Sequence, residues 1–258
     1  PLAESLLESK LIDRWFFVRY ADPKPHLRVR LHLVDIDGTG KVIQRVNDLT
    51  LPFRQNELIW KVQTDTYSRE LERYGMTMEH SEQLFWHDSE MVVSMLGLEE
   101  QYGDESFRWI FAAKAIDQLL SDFGLTEAVK LNLLKKLSEG YGAEFNKGKL
   151  LRKQLADKFR SKRPTLEKAL DGTSSEYGYL FQPITQRSLR TRELCDAIKM
   201  LAESNAGEAS LEALLSAYLH MFMNRTFKSM QRMYEMVIYD FLWCARQSMS
   251  ARREIKYT

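Results

Sequence analysis

The first quarter of the chain alternates apolar and polar residues in the manner of β-strands. Residues 14–20 (RWFFVRY) are aromatic and β-branched and stop at a turn with two prolines, which cannot continue a hydrogen-bonded ladder. Residues 27–34 (LRVRLHLV) alternate strictly, so their apolar and polar side chains lie on opposite faces. Residues 41–49 have the spacing of a helix, and residues 57–67 (ELIWKVQTDTY) that of a third strand.

After Gly75 the apolar residues recur at steps of three and four, which predicts helices. The predicted helical segments lie near residues 80–102, 106–123, 126–139, 149–170, 189–203 and 210–250. The longest interruption, residues 171–183, is predicted to be a mobile flap. Strands followed by helices predict an α+β fold. We expect one domain over residues 1–258, with a mostly antiparallel sheet in 14–75 and a bundle-like helical elaboration in 76–258.

Composition excludes several classes of protein. The 258 residues include 37 Lys+Arg and 36 Asp+Glu, so no global charge draws the protein to nucleic acid or membrane. The apolar runs are too short to span a bilayer. Two cysteines cannot form a disulfide scaffold or a four-thiolate zinc site, and they suit a reducing cytoplasm. The sequence lacks the GxxxxGK[ST], GxGxxG, HExxH and GxSxG motifs.

The polar face of residues 27–34 is the first candidate for chemistry. Alternation places Arg28, Arg30 and His32 on one side of a strand, roughly 7 Å apart. This face is either a solvent-exposed surface or a clamp for a carboxylate or phosphate, since guanidinium groups hold oxyanions bidentately. His26 and the proline-rich turn place the stripe at the edge of the sheet.

Two further groups of residues are candidates. Glu70 and Arg73 are three residues apart, so in a helical turn the carboxylate orients the guanidinium; the alternative is an ordinary surface ion pair. His220 follows an amphipathic helical stretch, with Asn224 and Arg225 about one turn later. It is either a packed or capping histidine or an oriented proton donor or acceptor.

Other polar clusters give weaker signals. His80, His87 and Asp88 form only a loose group, so no metal site is predicted. Residues 147–168 carry many Lys and Arg and few acids, which is typical of a solvated helix face and also compatible with a polyanion contact.

These blocks, in this order, resemble the C-terminal domain of class I lantibiotic dehydratases, also called the thiopeptide-type bacteriocin biosynthesis domain. The resemblance covers most of the chain from Trp15 onward. Its blocks are WFFVRY with Asp22-Pro23 and PHLRVR (residues 15–30), DTYSRELERYG (65–75) with SEQLFWHDS (81–89), and His220-Met221 with Asn224-Arg225. The family usually has a second glycine after the position of Gly75, where this chain has Met76.

The resemblance implies a lyase that eliminates glutamate from glutamylated Ser or Thr of a precursor peptide, giving dehydroalanine or dehydrobutyrine. It implies no cofactor, no metal and no direct use of tRNA. The glutamylation step is expected from a fused or separate domain or protein. The implied catalytic residues are Arg28, Arg30, Arg73 and His220. The residues expected to orient substrate are His26, Glu70, Asn224 and Arg225. Resemblance and spacing leave open which residue removes the α-proton.

Two other functions remain possible on the sequence. Standalone relatives in thiopeptide pathways form a pyridine ring from two dehydroalanines by a formal cycloaddition, which needs no glutamate clamp. A non-catalytic subunit that binds the precursor peptide is the second alternative. The presence of all three arginines and of His220 favours elimination.

Overall fold

A computed structural model of the protein describes residues 2–102, 107–171, 178–204 and 209–256. Its sheet is a two-stranded antiparallel hairpin of β1 (Ile12–Tyr20) and β2 (His26–Leu33). The register pairs Phe16 with Arg30 and Tyr20 with His26. The hairpin confirms both N-terminal strand predictions.

Helices form most of the rest of the described chain. They are α1 (Leu2–Glu8), α2 (Thr39–Gln55), α3 (Leu71–Tyr74), α4 (Met78–Tyr102), α5 (Phe107–Asp122), α6 (Glu127–Glu144), α7 (Lys149–Asp171), α8 (Gln182–Ser204), α9 (Leu211–Thr226) and α10 (Gln231–Lys256). Short 3₁₀ turns at Ile36–Gly38 and Gly75–Thr77 lead into α2 and α4. Side-chain caps start two of the helices: Thr126 accepts from Val129 N in α6, and Ser210 from Ala213 N in α9. The α+β fold class is confirmed.

The predicted strand over residues 57–67 is wrong. After α2 the chain is irregular up to α3. The first residues of this segment hydrogen-bond to α2: Leu58 N and Ile59 N donate to Phe53 O (2.9 and 3.1 Å). At the outer edge of β1, side chains of α4 and α9 already hydrogen-bond the backbone, so residues 57–67 do not pair there. Residues 14–75 therefore contain two strands and a long helix rather than a larger sheet.

Helix boundaries differ from the predictions at several points. Helix α4 passes through Gly97 without a break, and α6 continues through Gly140 and Gly142. The last predicted segment is two helices separated near Met230, whose φ of 54° is left-handed. Helix α1 was not predicted. The predicted flap falls partly on residues 172–177, which lie outside the described residues.

One large hydrophobic core joins the hairpin to the helices. It runs from Phe16 and Phe17 of β1 through α4, α5 and α9 to the apolar face of α10. A smaller cluster of Leu6, Ile12 and Val42 lies between α1, β1 and α2. Leu31 and Leu33 of β2 pack against this cluster. The apolar face of β2 is covered only in part, because Leu27 and Val29 remain 56% and 40% exposed.

Candidate functional site

The polar face of the hairpin is turned toward the helical body. Cross-strand partners share a face of a sheet, so Arg30 lies on the same side as Phe16 and Arg28 on the same side as Val18. Phe16 is buried against Phe85 of α4 and also contacts Tyr67 (ring centroids 5.5 and 5.8 Å apart). Arg30 is therefore partly buried beside this aromatic contact, whereas Arg28 and His32 remain exposed.

Arg28 lies in a small aromatic cluster at the turn of the hairpin. Its guanidinium carbon is 4.0 Å from the centroid of the Tyr20 ring, and His26 stacks on the same ring (5.4 Å). Arg28 Nε donates to His26 Nε2 (3.3 Å), while His26 Nδ1 lies 2.8 Å from the carbonyl oxygen of Lys24. These contacts assign the ring proton to Nδ1. They hold Arg28 in place without a carboxylate partner among the described residues.

Arg30 rests on Tyr67, the half-buried residue of the irregular segment. Its guanidinium carbon is 4.9 Å from the Tyr67 centroid. Burial and a hydrogen bond to Glu82 raise the pKa of Tyr67, so the phenol stays protonated. Glu82 is itself held by both Arg69 Nε (3.0 Å) and Arg69 Nη2 (2.8 Å). The Glu82 carboxylate is thus occupied, and the charge of Arg30 remains available to an anion.

Arg73 is paired with Glu70, as their spacing predicts. Arg73 Nη1 lies 3.1 Å from Glu70 Oε2, and both side chains are about half exposed. Gly75 ends the short helix α3 with φ 49°, a backbone conformation that favours glycine. Met76 follows in the 3₁₀ turn, so a side chain at this position is compatible with the turn after Arg73.

His220 lies where three helices meet. Its Nδ1 is 2.9 Å from Oε1 of Glu235, a residue of α10 that is fully buried. Tyr141 of α6 donates to the same carboxylate oxygen (2.7 Å). Gln231 Nε2 donates to Glu235 Oε2 (3.2 Å). The histidine is one-third exposed, so a buried carboxylate orients a ring that solvent or substrate can reach.

Arg232 forms the outer rim of this group. Its guanidinium carbon is 4.4 Å from the centroid of Tyr141, and it is ion-paired with Glu144 of α6. The ion pair with Glu144 raises the pKa of Arg232. Burial and the neighbouring Glu235 raise the pKa of Tyr141, so this phenol is a hydrogen-bond donor rather than a base at neutral pH.

Asn224 and Arg225 hold the hairpin against α9. Arg19 N donates to Asn224 Oδ1 (2.8 Å), and Asn224 Nδ2 donates to Arg19 O (2.9 Å), so the amide acts as a substitute for a neighbouring strand. Arg225 Nε donates to Phe17 O (2.9 Å). Arg225 is fully buried, and burial lowers its pKa to about 10. Both residues connect the backbone of β1 to the helix that carries His220.

The predicted residues other than Asn224 and Arg225 therefore fall into two groups. The arginine group comprises His26, Arg28, Arg30, Glu70 and Arg73 with Tyr20 and Tyr67. The histidine group comprises His220, Glu235, Tyr141, Gln231 and Arg232. The hydrogen bonds of the His220 ring are made with members of the histidine group and not with the arginine group.

The link between the two groups is Asn224, one turn after His220. It bonds to β1 on one side, and on the other its Nδ2 donates to Gln231 Oε1 (3.1 Å). Gln231 in turn donates to Glu235. Asn224 thereby fixes the position of β1 relative to His220, and β1 pairs with β2, the strand that carries Arg28 and Arg30.

The sequence profile of the family described as lantibiotic biosynthesis dehydratase, C-terminal, matches residues 1–246. The chain belongs to this family.

Curated relatives agree with the lantibiotic dehydratase assignment. Subtilin biosynthesis protein SpaB of Bacillus subtilis is 29% identical over 222 residues, which are 83% of this chain and 20% of SpaB. Nisin biosynthesis protein NisB of Lactococcus lactis subsp. lactis is 35% identical over 86 residues, which are 32% of this chain and 8% of NisB. The chain therefore spans a fifth or less of the length of these dehydratase relatives.

Solved structures share the fold. The tRNA-dependent lantibiotic dehydratase MibB from Microbispora sp. 107891 superposes with a TM-score of 0.78 at 20% identity, over 98% of this chain and 26% of MibB. TbtD, a pyridine synthase from thiomuracin biosynthesis, gives a TM-score of 0.63 at 15% identity, over 96% of this chain and 92% of TbtD. The dehydratase C-terminal fold is thus also found in a protein of this size.

The structure adds residues to the two groups that the sequence did not single out. They are Glu235, Tyr141, Tyr67 and Tyr20. Glu235 had a detectable signal, since it lies one turn before Tyr239 on the apolar face of α10, where a carboxylate needs a partner. Tyr141 had none, because it lies in a helix distant in sequence from His220 and Glu235, whereas Tyr20 and Tyr67 stand within the motif blocks WFFVRY and DTYSRELERYG.

No helix in the described ranges is long and apolar enough to cross a bilayer. Among the same residues, no group of three or more His, Cys, Asp or Glu side chains is arranged to hold a metal ion.

Proposed function

We propose that this chain is a lyase of lanthipeptide biosynthesis, which eliminates glutamate from glutamylated Ser or Thr of a precursor peptide. The products are dehydroalanine or dehydrobutyrine and free glutamate. The observation that carries the proposal is the His220–Glu235 pair, in which a reachable imidazole is oriented by a buried carboxylate in a member of this family. The arginine group supplies the cationic partners that a leaving carboxylate requires.

His220 is the proposed proton-transfer residue. Because Nδ1 faces Glu235 at 2.9 Å, its proton is donated to that carboxylate and Nε2 is left for the substrate. Removal of the α-proton supplies the electron pair of the new Cα–Cβ double bond. The Cβ–O bond of the ester then breaks, and glutamate leaves as a carboxylate. Negative charge develops first on the carbonyl beside the α-carbon and then on the leaving group, so fixed cations favour both stages.

Arg28, Arg30 and Arg73 are the proposed anion-binding residues. Arg28 and Arg30 lie on one strand face, held by Tyr20 and Tyr67 through ring contacts that leave their charge uncompensated within the described part of the chain. Arg73 is oriented by its half-exposed pairing with Glu70 through Nη1, and its other N–H groups can donate to a substrate carboxylate. The free carboxylate of the glutamyl group and the carboxylate released when the ester bond breaks suit this set of cations.

The proposed partner is a glutamylation domain or protein, fused or separate. The dehydratase relatives SpaB and MibB are about four to five times as long as the stretch that this chain matches. We infer that the tRNA dependence of MibB resides in the part of that protein without a counterpart here. We propose that the present chain acts on the precursor peptide and makes no direct contact with tRNA. The proposed reaction is cytoplasmic and uses no cofactor or metal.

The test is mass spectrometry of a precursor peptide that carries a glutamyl ester on Ser or Thr, before and after incubation with this chain. The proposal expects loss of glutamate and appearance of the dehydrated residue without added metal or nucleotide. His220→Ala and Arg30→Ala are expected to lower the rate at least about 100-fold while the far-UV spectrum and melting temperature stay close to wild type.

Two matched variants serve as controls. His87→Ala removes another histidine that pairs with a glutamate, Glu90 of α4 at 3.7 Å. Arg45→Ala removes an exposed arginine of α2 that bonds to Ser5. Both are expected to keep the wild-type rate. A folded His220→Ala variant with normal turnover would exclude the histidine role.

The same assay separates the alternatives. A peptide with two dehydroalanines that is converted into a pyridine product, with the glutamyl ester untouched, indicates a cycloaddition enzyme. Peptide binding without either reaction, even when the glutamylating protein is present, indicates a binding subunit.

A further inference from the structure

A cavity outside the histidine group lies between α6, α7 and α10. It has a volume of about 750 Å³. The side chains that define its chemistry are Arg152, Arg160, Arg163, Phe159, Trp243 and Cys244. A volume in this range accommodates a ligand of a few amino-acid residues. The dehydration chemistry proposed above uses none of these side chains.

The cavity carries an excess of positive charge. Arg152 uses Nε to donate to the carbonyl oxygen of Lys147 (3.0 Å) and has no carboxylate partner among the described residues. Arg160 has a weak, exposed pairing with Asp157 (3.2 Å). Guanidinium groups that are exposed at the mouth of a cavity and not neutralised are suited to bind carboxylates bidentately.

The acids near the cavity do not compensate for this charge. Glu167 is shared by two arginines, Arg163 (2.8 Å) and Arg252 (2.6 Å). Both acids of the cavity wall have lysine partners, Asp240 with Lys147 and Glu139 with Lys135. Lys147 can approach Asp240 because Gly142 has no side chain: a Cβ there would lie 2.8 Å from Lys147 Cδ.

An aromatic wall adds a preference for apolar groups. Phe159 and Trp243 are half-buried, and Phe159 packs on Phe241 with ring centroids 5.5 Å apart. A site with arginines at its mouth and aromatic rings on its wall matches a peptide in which acidic and apolar residues alternate.

The histidine group and the cavity are neighbours along α10 and α6. Glu235, which orients His220, and Trp243 of the cavity are eight positions apart on α10, which corresponds to about 12 Å. An extended chain covers that distance with about four residues. On α6, Tyr141 of the histidine group directly precedes Gly142 of the cavity wall.

We propose that the cavity between α6, α7 and α10 binds an acidic segment of the peptide substrate, about four residues from the residue that reacts near His220. The identity of the ligand as substrate rests on the proposed function. The recognition itself rests on the charge and shape of the cavity.

The test is fluorescence anisotropy with a fluorescein-labelled hexapeptide of alternating Glu and Leu, which carries no glutamyl ester. The corresponding Gln–Leu peptide is the probe control. We expect saturable binding of the acidic peptide that weakens about tenfold in Arg152→Glu and Arg160→Glu, because each loses a charge-assisted contact. Lys153→Glu and Lys158→Glu make the same charge change on α7 outside the cavity lining, and binding is expected to stay within about twofold of wild type.

Alkylation of Cys244 provides an independent readout on the wild-type protein. Cys244 lines the cavity and is partly exposed, whereas Cys195 is fully buried. The acidic peptide is expected to slow maleimide labelling of Cys244, and the Gln–Leu peptide to leave it unchanged.

Equal losses in all four variants, unprotected Cys244 at saturating peptide, or tighter binding of a single-stranded RNA oligonucleotide would each overturn the proposal. Absence of elimination with intact, cavity-dependent peptide binding would instead contradict the proposed reaction and leave this site in place.

Discussion

The histidine group and the arginine group are built in opposite ways. His220 is held by side chains from two further helices, and its partner Glu235 is fully buried. Arg28 and Arg30 lie on the hairpin, and Arg73 lies on the short helix α3 and is 52% exposed. A proton-transfer residue gains from fixed geometry, whereas a clamp for a flexible acyl group gains from cations that can adjust.

The two groups also differ in what secures their backbone. Helices α6, α9 and α10 carry the histidine group within the large core. Tyr67 and Glu70 of the arginine group lie in the irregular residues 59–70. In this segment Tyr67 is half-buried and packs against the core. Substitutions of the buried members of the histidine group, such as Glu235, are therefore expected to alter both rate and stability. Those of the partly exposed His220 and of the arginine group are expected to alter mainly rate.

The largest expected effect comes from Glu235→Gln. The amide keeps the shape but loses the charge that orients His220, so elimination is expected to slow about 100-fold, or about 2.7 kcal/mol in barrier. The measurement is single-turnover elimination from a glutamylated peptide. Tyr239→Phe is the control, because it removes only a 3.4 Å contact to the same carboxylate. A wild-type rate in folded Glu235→Gln would show that the buried charge does not act through His220.

Asn224→Ala tests the connection between the two groups. It removes the two hydrogen bonds with the backbone of Arg19 and is expected to lower the free energy of unfolding by about 2 kcal/mol. Urea denaturation monitored by circular dichroism measures this. Asn132→Ala, at an exposed position of α6, is expected to change stability by less than about 0.5 kcal/mol. Equal stabilities would contradict a structural role for Asn224.

The smallest effect is expected from Glu70→Gln in the arginine group. Because the pair with Arg73 is half exposed, the free energy of unfolding is expected to change by less than about 0.5 kcal/mol. The loss of orientation should raise the KM for glutamylated peptide about threefold, and the difference should shrink at high salt. Glu72→Gln, two positions further along the chain, is the control. A large loss of stability would show that Glu70 is a structural residue.

The sequence predicted the hairpin and most helices because their signals are local. Strict alternation in β2 and three- and four-residue spacing in α5 to α9 do not depend on distant contacts. The strand predicted over residues 57–67 is wrong for the opposite reason. Pairing depends on contacts distant in sequence: Asn224 and Arg225, about 200 residues away, occupy the outer edge of β1.

The candidate site was predictable only in part. The pairing of Glu70 with Arg73 follows from their spacing and is confirmed. The contacts of His220 with Glu235 and Tyr141 join elements that are 15 and 79 residues apart, which no periodicity reveals. The hydrogen bonds between Asn224 and the backbone of Arg19 could not be predicted either, because backbone atoms are the same at nearly every position of a sequence.

The irregular connection of residues 59–70 has a consequence for the topology of the molecule. The hairpin before it is held to the helices after it by Phe16, Phe17 and the side chains that close the edge of β1. Noncovalent contacts therefore hold the hairpin against the helices. The connecting residues 59–70 act only as a tether between them. A break or an insertion near residue 62 would therefore leave the hairpin packed against the helices.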